Sequence, residues 1–160
     1  MLEIRKDLEF LRQKSKKVKN ITDETGYFID QMKETLEKSE GVGLAAPQVG
    51  RLQRIIVVRN ENGFFGFINP VILKRSREKE EIEEGCLSLP GCFLKIRRPE
   101  RITAKALNSE GKEIALNLKG LAARAFQHEV DHLDGILIFD RLPLAEKIKR
   151  FFKEQPGKIR

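Results

Sequence analysis

The feature that most constrains this sequence is its pair of histidines, His128 and His132, the only two in the chain. They stand four residues apart in "LAARAFQHEVDHLDG", so an α-helix places both imidazoles on one face, one turn apart. With Glu129 between them they form H-E-x-x-H, the helical pattern of two metal ligands and a catalytic glutamate. Apolar residues occupy much of the remaining circumference, where unpaired histidines would be costly to bury. The sequence therefore predicts a buried metal-binding helix around which the chain packs.

A third ligand for this metal must come from elsewhere in the chain, because catalytic sites usually take three protein ligands and keep one position for water. The metzincin pattern needs another histidine where this chain has Ile138, which excludes that family. A thermolysin-like site needs a downstream glutamate, and only Glu146 and Glu154 follow, both in the basic terminal segment. Cys86, within "EEGCLSLPG", is the better candidate, since a thiolate with two imidazoles is a familiar ligand set.

The residue that transfers protons at such a site is not decided by spacing. Glu129 and Asp131 lie on either side of the histidine face at similar angles. The extra methylene of glutamate favours Glu129 only weakly.

The glycine-rich stretch "GVGLAAPQVG", Gly41 to Gly50, is similar to the dinucleotide-binding fingerprint G-x-G-x-x-A. That fingerprint needs a strand before it and a helix opening from it, because the helix N-terminus holds the pyrophosphate. Here a helical pattern runs into the loop, and the buried strand pattern "RIIVV" follows it closely. A nucleotide site is therefore not expected, and the loop must serve other chemistry.

The order of the predicted elements indicates one α+β domain spanning residues 1–160, with mixed or antiparallel strands packed around the histidine helix. Helices are expected on both sides of this core, near each end of the chain. The predicted elements are helices at about 6–15 and 24–39, strands near 54–59 and 64–68, a turn at Asn69 and Pro70, an exposed strand or mobile loop over 71–85, a hairpin over 101–120, the histidine helix ending at Gly135, and a final helix from about Leu144 to Glu154.

Composition limits the partners and the compartment. Neither a signal peptide nor an apolar stretch near 18 residues is visible, so a cytoplasmic protein without a membrane partner is expected. The net charge is +7, and both ends are basic: residues 1–20 hold seven cations against three acids, and residues 141–160 hold seven against two. Such termini suit a polyanion such as RNA rather than DNA here, although basic helices are often merely solvated.

Three motifs together resemble those of bacterial peptide deformylases. G-x-G-L-A-A-x-Q, E-G-C-L-S and Q-H-E-x-D-H stand here as "GVGLAAPQ", "EGCLS" and "QHEVDH", in the family's order and at comparable separations. The resemblance spans Gly41 to Asp140. It implies a metal-dependent hydrolase that removes the formyl group from the formyl-methionine of newly made polypeptides and releases formate.

The resemblance also implies roles for individual residues. Fe(II), one per chain, would be the physiological metal, although Zn(II), Ni(II) or Co(II) can occupy such sites in purified protein. By position, the metal ligands are Cys86, His128 and His132, the general base and acid is Glu129, the oxyanion is held by Gln48 and the backbone N–H of Leu87, and the formyl-methionine contacts are Gly43, Leu44, Leu121, Arg124 and Ala125. Within this interpretation a side chain at Gly43 would obstruct a close backbone approach.

Several neighbouring residues have open assignments. Arg98 matches an arginine of the family that pairs with Glu84, and Arg97 could take that role instead. Cys92 stands six residues after Cys86, close enough for a disulfide, although an inert side chain is expected.

Two other functions remain compatible with the residues. One is a ribosome-associated binding module with a closed structural metal site, for which Cys92 would be the only other soft ligand. The other is a different metal-dependent amidase or peptidase. The resemblance also suggests that the C-terminal helix docks on the ribosome. Its cations Lys147, Lys149, Arg150 and Lys153 would contact RNA, while its apolar residues Leu144, Ile148, Phe151 and Phe152 would pack on the domain. The alternative is a packed helix whose lysines are merely solvated.

Overall fold

A computed structural model describes residues 1–154, and for residues 150–154 it describes the backbone alone. Helices and strands alternate irregularly along this part of the chain, as an α+β fold requires. The elements are α1 (Leu8–Leu11), α2 (Asp23–Lys38), β1 (Gly43–Ala45), β2 (Ile55–Asn60), β3 (Gly63–Arg75), β4 (Lys79–Cys86), β5 (Leu89–Pro99), β6 (Arg101–Leu107), β7 (Glu113–Lys119), α3 (Gly120–Leu133) and α4 (Leu144–Glu154), with 3₁₀ turns at Ala46–Val49 and Ile138–Arg141.

Five strands form one sheet in the order β1-β2-β3-β6-β7, and β4 with β5 forms a separate two-stranded ribbon. Every neighbouring pair is antiparallel. The ribbon leaves the sheet after β3, and the chain returns to it as β6. The ribbon thereby brings the Cys86 segment to the histidine helix α3.

Strand β2, between β1 and β3 in the sheet, separates two apolar clusters. Ile56 and Val58 pack with Phe126 and the apolar side of α3, whereas Ile55 and Val57 pack with the buried face of α2. Successive residues of a strand point to opposite faces, so both faces of β2 are buried. This explains why the four residues after Arg54, "IIVV", are all apolar, and it places α3 against the sheet.

The histidine helix and the hairpin predicted over 101–120 are confirmed. α3 ends at Leu133, and Gly135 follows with φ of 71°, the left-handed geometry that a C-terminal glycine supplies. β6 and β7 pair from Arg101 opposite Lys119 to Leu107 opposite Glu113, around the predicted turn. The helix predicted over 24–39 is also present, as α2.

The helix predicted over 6–15 is wrong in extent, because α1 covers only Leu8–Leu11. The following segment bonds to distant backbone instead. The N–H of Ser15 donates to Leu133 O at 2.8 Å, and the N–H of Lys16 donates to Leu52 O at 2.9 Å. These long-range bonds satisfy the backbone groups that a longer helix would otherwise have used.

The turn predicted at Asn69 and Pro70 is also wrong, since β3 continues through both residues to Arg75. Pairing with β6 shifts register between Ile68 and Val71, and Asn69 adopts φ of 51°. An irregularity of this kind accommodates a proline that has no N–H to donate. The charged segment after β3 forms the exposed strand β4 rather than a loop.

The final helix is confirmed as α4, but the two residues of its apolar side whose side chains are described are not packed on the domain as predicted. Leu144 is 72% exposed and Ile148 is 47% exposed. The side chains of Arg150, Phe151, Phe152 and Lys153 lie outside the described residues. None of the described helices is both long enough and apolar enough to cross a membrane.

Candidate metal centre and active site

The structure brings Cys86, His128 and His132 together at the end of the ribbon. The two imidazole centroids lie 5.0 Å apart, and Cys86 Sγ lies 3.2 Å from His132 Nε2. One ligand atom from each of the three residues lies within 4.8 Å of the others. Two imidazoles and a thiol suit a borderline divalent metal. The group can therefore hold a metal ion, as the histidine spacing predicts.

Glu84 orients His128 from the side opposite Cys86. Its Oε2 lies 3.1 Å from His128 Nδ1, which leaves Nε2 for the metal position. Burial alone would raise the pKa of Glu84, but hydrogen bonds from His128 and Arg98 outweigh it and lower the pKa to about 2. Burial alone would lower the pKa of His128, but hydrogen bonds with Cys86 and Glu84 raise it to about 10. The surroundings of His128 thus favour positive charge, which suits a bound cation.

Arg98, rather than Arg97, is the partner of Glu84, as the family resemblance suggests. Its Nε and Nη2 donate to the two Glu84 carboxylate oxygens at 2.7 and 3.0 Å. Its Nη1 donates to Asp131 Oδ2 at 2.8 Å, and Arg141 also binds Asp131 with two donors. Asp131 is therefore held in a buried ion-pair network, which removes it as a free proton acceptor.

Glu129 has the opposite environment. Its side chain lines the cleft beside His128 and is only 3% exposed, and its Oε2 has no hydrogen-bond partner among the described residues. Burial raises the pKa of Glu129 to about 7, even though His128 and Arg98 oppose that rise. A carboxyl group with a pKa near neutrality can both accept and return a proton at physiological pH. The structure thus distinguishes Glu129 from Asp131, which spacing alone could not.

Gln48 is fixed with its amide nitrogen toward the thiol. It sits in the 3₁₀ turn after β1, where the N–H of Ala45 donates to its Oε1 at 2.8 Å. The Nε2 group then lies 3.5 Å from Cys86 Sγ and 3.3 Å from Ser88 Oγ. Leu87, the next residue after Cys86, lines the same cleft. Ser88 was missed by the sequence reasoning, although it belongs to the "EGCLS" motif.

The group that leaves no room for a side chain at Gly43 is not the approaching backbone that the sequence suggested. A Cβ at this position would lie 2.8 Å from Glu129 Cγ and 2.9 Å from Glu129 Cδ, and closer still to Oε1. The group that approaches Gly43 in the structure is therefore the Glu129 side chain. The glycine loop therefore packs directly on Glu129, the candidate base. This contact gives the loop a role other than nucleotide binding.

The cleft next to these residues has a volume of about 450 Å³. Leu121 stands at its rim, 61% exposed, and Ala125 forms part of its buried wall. Arg124 also lines it, but its guanidinium donates to Glu84 Oε1 and Ile96 O at 2.7 and 2.9 Å, so the aliphatic stem is what remains for a ligand.

Leu44 is not among the residues that line the cleft. Its side chain is fully buried in the cluster between α2 and β2. The ribbon contributes lining residues that sequence reasoning missed, among them Ile82, Pro90 and Phe93. In "CFLKI" the alternating apolar residues are Cys92, Leu94 and Ile96, and the available signal for Phe93 was an aromatic residue on the opposite, exposed face of the strand. No disulfide joins Cys86 to Cys92, and both thiols lie at the cleft.

Comparison with known proteins decides the family. The sequence model of the polypeptide deformylase family matches residues 1–148. The chain belongs to the peptide deformylase family. The chain is 50% identical over 134 residues to the peptide deformylase of Halothermothrix orenii, an alignment that covers 82% of this chain and 86% of that protein. The peptide deformylase of Natranaerobius thermophilus is 46% identical over 141 residues, covering 88% of each chain.

Solved structures agree with the sequence comparison. The crystal structure of peptide deformylase from Thermotoga maritima superposes with a TM-score of 0.86 at 46% identity, covering 89% of this chain and 98% of that one. Peptide deformylases are metalloenzymes that remove the formyl group from the N-terminus of nascent peptides. The predicted family, α+β fold and enzyme class are confirmed, and the closed structural-metal module is not supported.

Proposed function

We propose that the chain works as one catalytic domain that hydrolyses the formyl amide of formyl-methionine peptides, in the cytoplasm where such peptides are made. The observation that carries this proposal is the juxtaposition of three metal-ligand side chains with Glu129, a buried carboxylate whose Oε2 has no partner among the described residues. A structural metal site is closed by four protein ligands and needs neither an open cleft nor a carboxylate beside the metal.

The metal would be held by Cys86, His128 and His132, one ion per chain, with Fe(II) as the physiological metal. Zn(II), Ni(II) or Co(II) can take the same ligands, because ligand type does not separate them. When bound, a divalent cation supplies Lewis-acid chemistry, in that it lowers the pKa of water and polarises a carbonyl. Glu84 keeps the His128 ring turned so that Nε2 remains available.

Glu129 would move the protons. Its carboxylate takes one proton from the attacking water as the new C–O bond forms at the formyl carbon. It then gives a proton to the leaving amine as the C–N bond breaks, which releases formate and a free N-terminus. The burial that raises the pKa of Glu129 suits both steps, since the group must hold a proton between them.

Gln48 and Leu87 would stabilise the negative charge that develops on the formyl oxygen. The Ala45 bond to Gln48 Oε1 leaves the Nε2 donors directed toward Cys86, and that preorganisation costs nothing at the moment of reaction. The backbone N–H of Leu87, adjacent to Cys86 in the chain, would supply a second donor.

The methionine side chain would occupy the cleft between Leu121, Ala125 and the stem of Arg124. Gly43 lies in the same cleft, on β1, the outermost strand of the sheet. Leu44, whose side chain is in the core, would contact the peptide only through its backbone.

Anaerobic formate release tests the proposed substrate. Iron-loaded protein should release formate from a formyl-Met peptide. It should leave the acetylated peptide unchanged, because the acetyl methyl group enlarges the reacting carbonyl, and the free peptide unchanged, because it carries no acyl group. Cleavage of an internal peptide bond, or equal rates with the acetylated peptide, would assign the site to another class of amidase.

We also propose that α4 contributes to ribosome docking. Leu144 and Ile148 remain exposed, which leaves an apolar stripe for a partner. Lys147 and Lys149 bond to Asp140 O and Glu146 within the chain, each at 2.8 Å, although both bonds are at the surface. Changing Lys147, Lys149, Arg150 and Lys153 to Gln should reduce ribosome co-sedimentation at low salt and leave peptide turnover intact. Unchanged co-sedimentation would eliminate this role.

A further inference from the structure

A second cavity, of about 620 Å³, opens where the end of β3 and the turn after it meet β6 and the end of β7. We call it the basic cavity. Its charged lining residues are Lys74, Arg75, Arg77, Arg101, Lys119 and the single acid Glu78. None of them lines the active-site cleft, and among the described residues neither the N-terminal segment nor α4 contributes to the basic cavity.

The positive charge of the basic cavity is largely uncompensated. Glu78 pairs with Arg101 at 2.9 Å. Within residues 1–149, whose side chains are described, the remaining four cations form no ion pair. The cavity therefore carries four positive charges without an ion-pair partner among the described side chains.

The strand register adds an independent indication of an anionic ligand. Arg101 on β6 stands directly opposite Lys119 on β7, and both are exposed. Like charges in directly opposed cross-strand positions destabilise a sheet. Glu78 already offsets the charge of Arg101, so a bound anion would chiefly offset the charge of Lys119.

The distribution of these charges favours an extended polyanion over a single phosphate. Lys74, Arg101 and Lys119 belong to β3, β6 and β7, which are consecutive strands, so the charges extend over two strand spacings, or about 10 Å. Thr103 and Asn117 lie between them and supply neutral hydrogen-bonding groups. The lining residues, all described, include no aromatic ring on which a base could stack.

We propose that the basic cavity binds the phosphate backbone of RNA without reading its sequence. Cations with neutral hydrogen-bonding groups, and no stacking platform, match backbone recognition. Lys119 is two residues before Leu121, which stands at the rim of the active-site cleft. One end of the basic cavity is therefore close in the chain to one rim residue of the cleft. This docking does not require the metal.

The test compares two variants of equal net charge. One changes Lys74, Arg75, Arg77 and Lys119 to Gln. The matched control changes Lys14, Lys16, Lys17 and Lys19, four exposed and unpaired cations of the N-terminal segment, to Gln. Binding of a fluorescent hairpin RNA is followed by anisotropy over a range of salt concentrations, with formate release as the check on folding.

Four phosphate contacts give log K a slope of about −3 to −4 against log salt, at about −0.7 to −0.9 per contact. The cavity variant should lose most of this slope and at least about tenfold in affinity at low salt, whereas the control keeps both and formate release is unchanged in each. The proposal would be overturned by equal losses of affinity in the two variants or by no RNA binding by the wild-type chain. It would also be overturned by tighter binding of polyglutamate than of RNA, which would assign the cavity to an acidic protein.

Discussion

Replacing Gly43 by alanine should impair catalysis by moving Glu129. The added Cβ would lie 2.8 Å from Glu129 Cγ, and ordinary contact begins at 3.4 Å. The side chain must therefore retreat by about 0.6 Å at Cγ, and by more at Oε1, which lies closer. Gly43 has no positive φ, so the substitution adds no backbone strain of its own.

The size of the effect follows from that displacement. A misplacement of about 1 Å in a catalytic group costs about 100-fold in rate. We expect kcat to fall by about 10- to 100-fold, equivalent to about 1.4 to 2.7 kcal/mol in the activation free energy. The three atoms nearest the new Cβ all belong to Glu129, so metal content should be unchanged. Overpacking should lower the free energy of unfolding by about 1 to 3 kcal/mol.

The assay is steady-state formate release by the metal-loaded variant, together with metal analysis and urea unfolding. Gly26→Ala is the matched control, because a Cβ there meets nothing within 4 Å and the residue lies inside α2. That control should keep wild-type kcat and gain up to about 1 kcal/mol in stability. If Gly43→Ala also kept wild-type kcat, the contact with Gly43 would have no part in holding Glu129 in its working position.

Three further perturbations test the site. Cys86→Ser should weaken or alter metal binding, as measured by metal content after dialysis; normal content and activity would assign the third-ligand role elsewhere. Arg98→Met should lower the free energy of unfolding by about 3 kcal/mol, because the carboxylates of Glu84 and Asp131 each lose a buried partner. The control Arg97→Met, at an exposed position, should change the free energy of unfolding by less than about 0.5 kcal/mol. Equal urea midpoints for the two would refute the network. Iron-loaded protein should lose activity in air through oxidation of Fe(II) and the adjacent thiolate, and zinc-loaded protein should turn over poorly. Equal, air-stable activity with both metals would contradict this.

The local parts of the fold could be predicted because their signals are local. The spacing of His128 and His132, the apolar face of their helix and the stop at Gly135 all lie within one segment. The β6–β7 hairpin likewise follows from alternation around a turn. Where the predictions were wrong, distant groups decided the structure: Ser15 and Lys16 bond to Leu133 and Leu52 instead of extending a helix.

The candidate site divides in the same way. Motif order suggested that Cys86 would join the histidines, and the fold brings them together. The resemblance assigned Glu129 rather than Asp131, but the physical reason needed the structure, since Arg141 and Arg98 reach Asp131 from other elements. Spacing along one helix carries no information about such partners. The packing of Glu129 on Gly43 was hidden for the same reason, because 86 residues separate them in the chain.

The most direct test of Glu129 as the proton-transferring residue is anaerobic formate release by Glu129→Gln at metal content matched to wild type. Glutamine keeps the size of the side chain but cannot carry the proton, so the variant should bind one metal per chain and lose about 10²- to 10⁴-fold in turnover, the usual contribution of a general acid–base group. Wild-type turnover by a fully metallated Glu129→Gln protein would contradict the account and require another base.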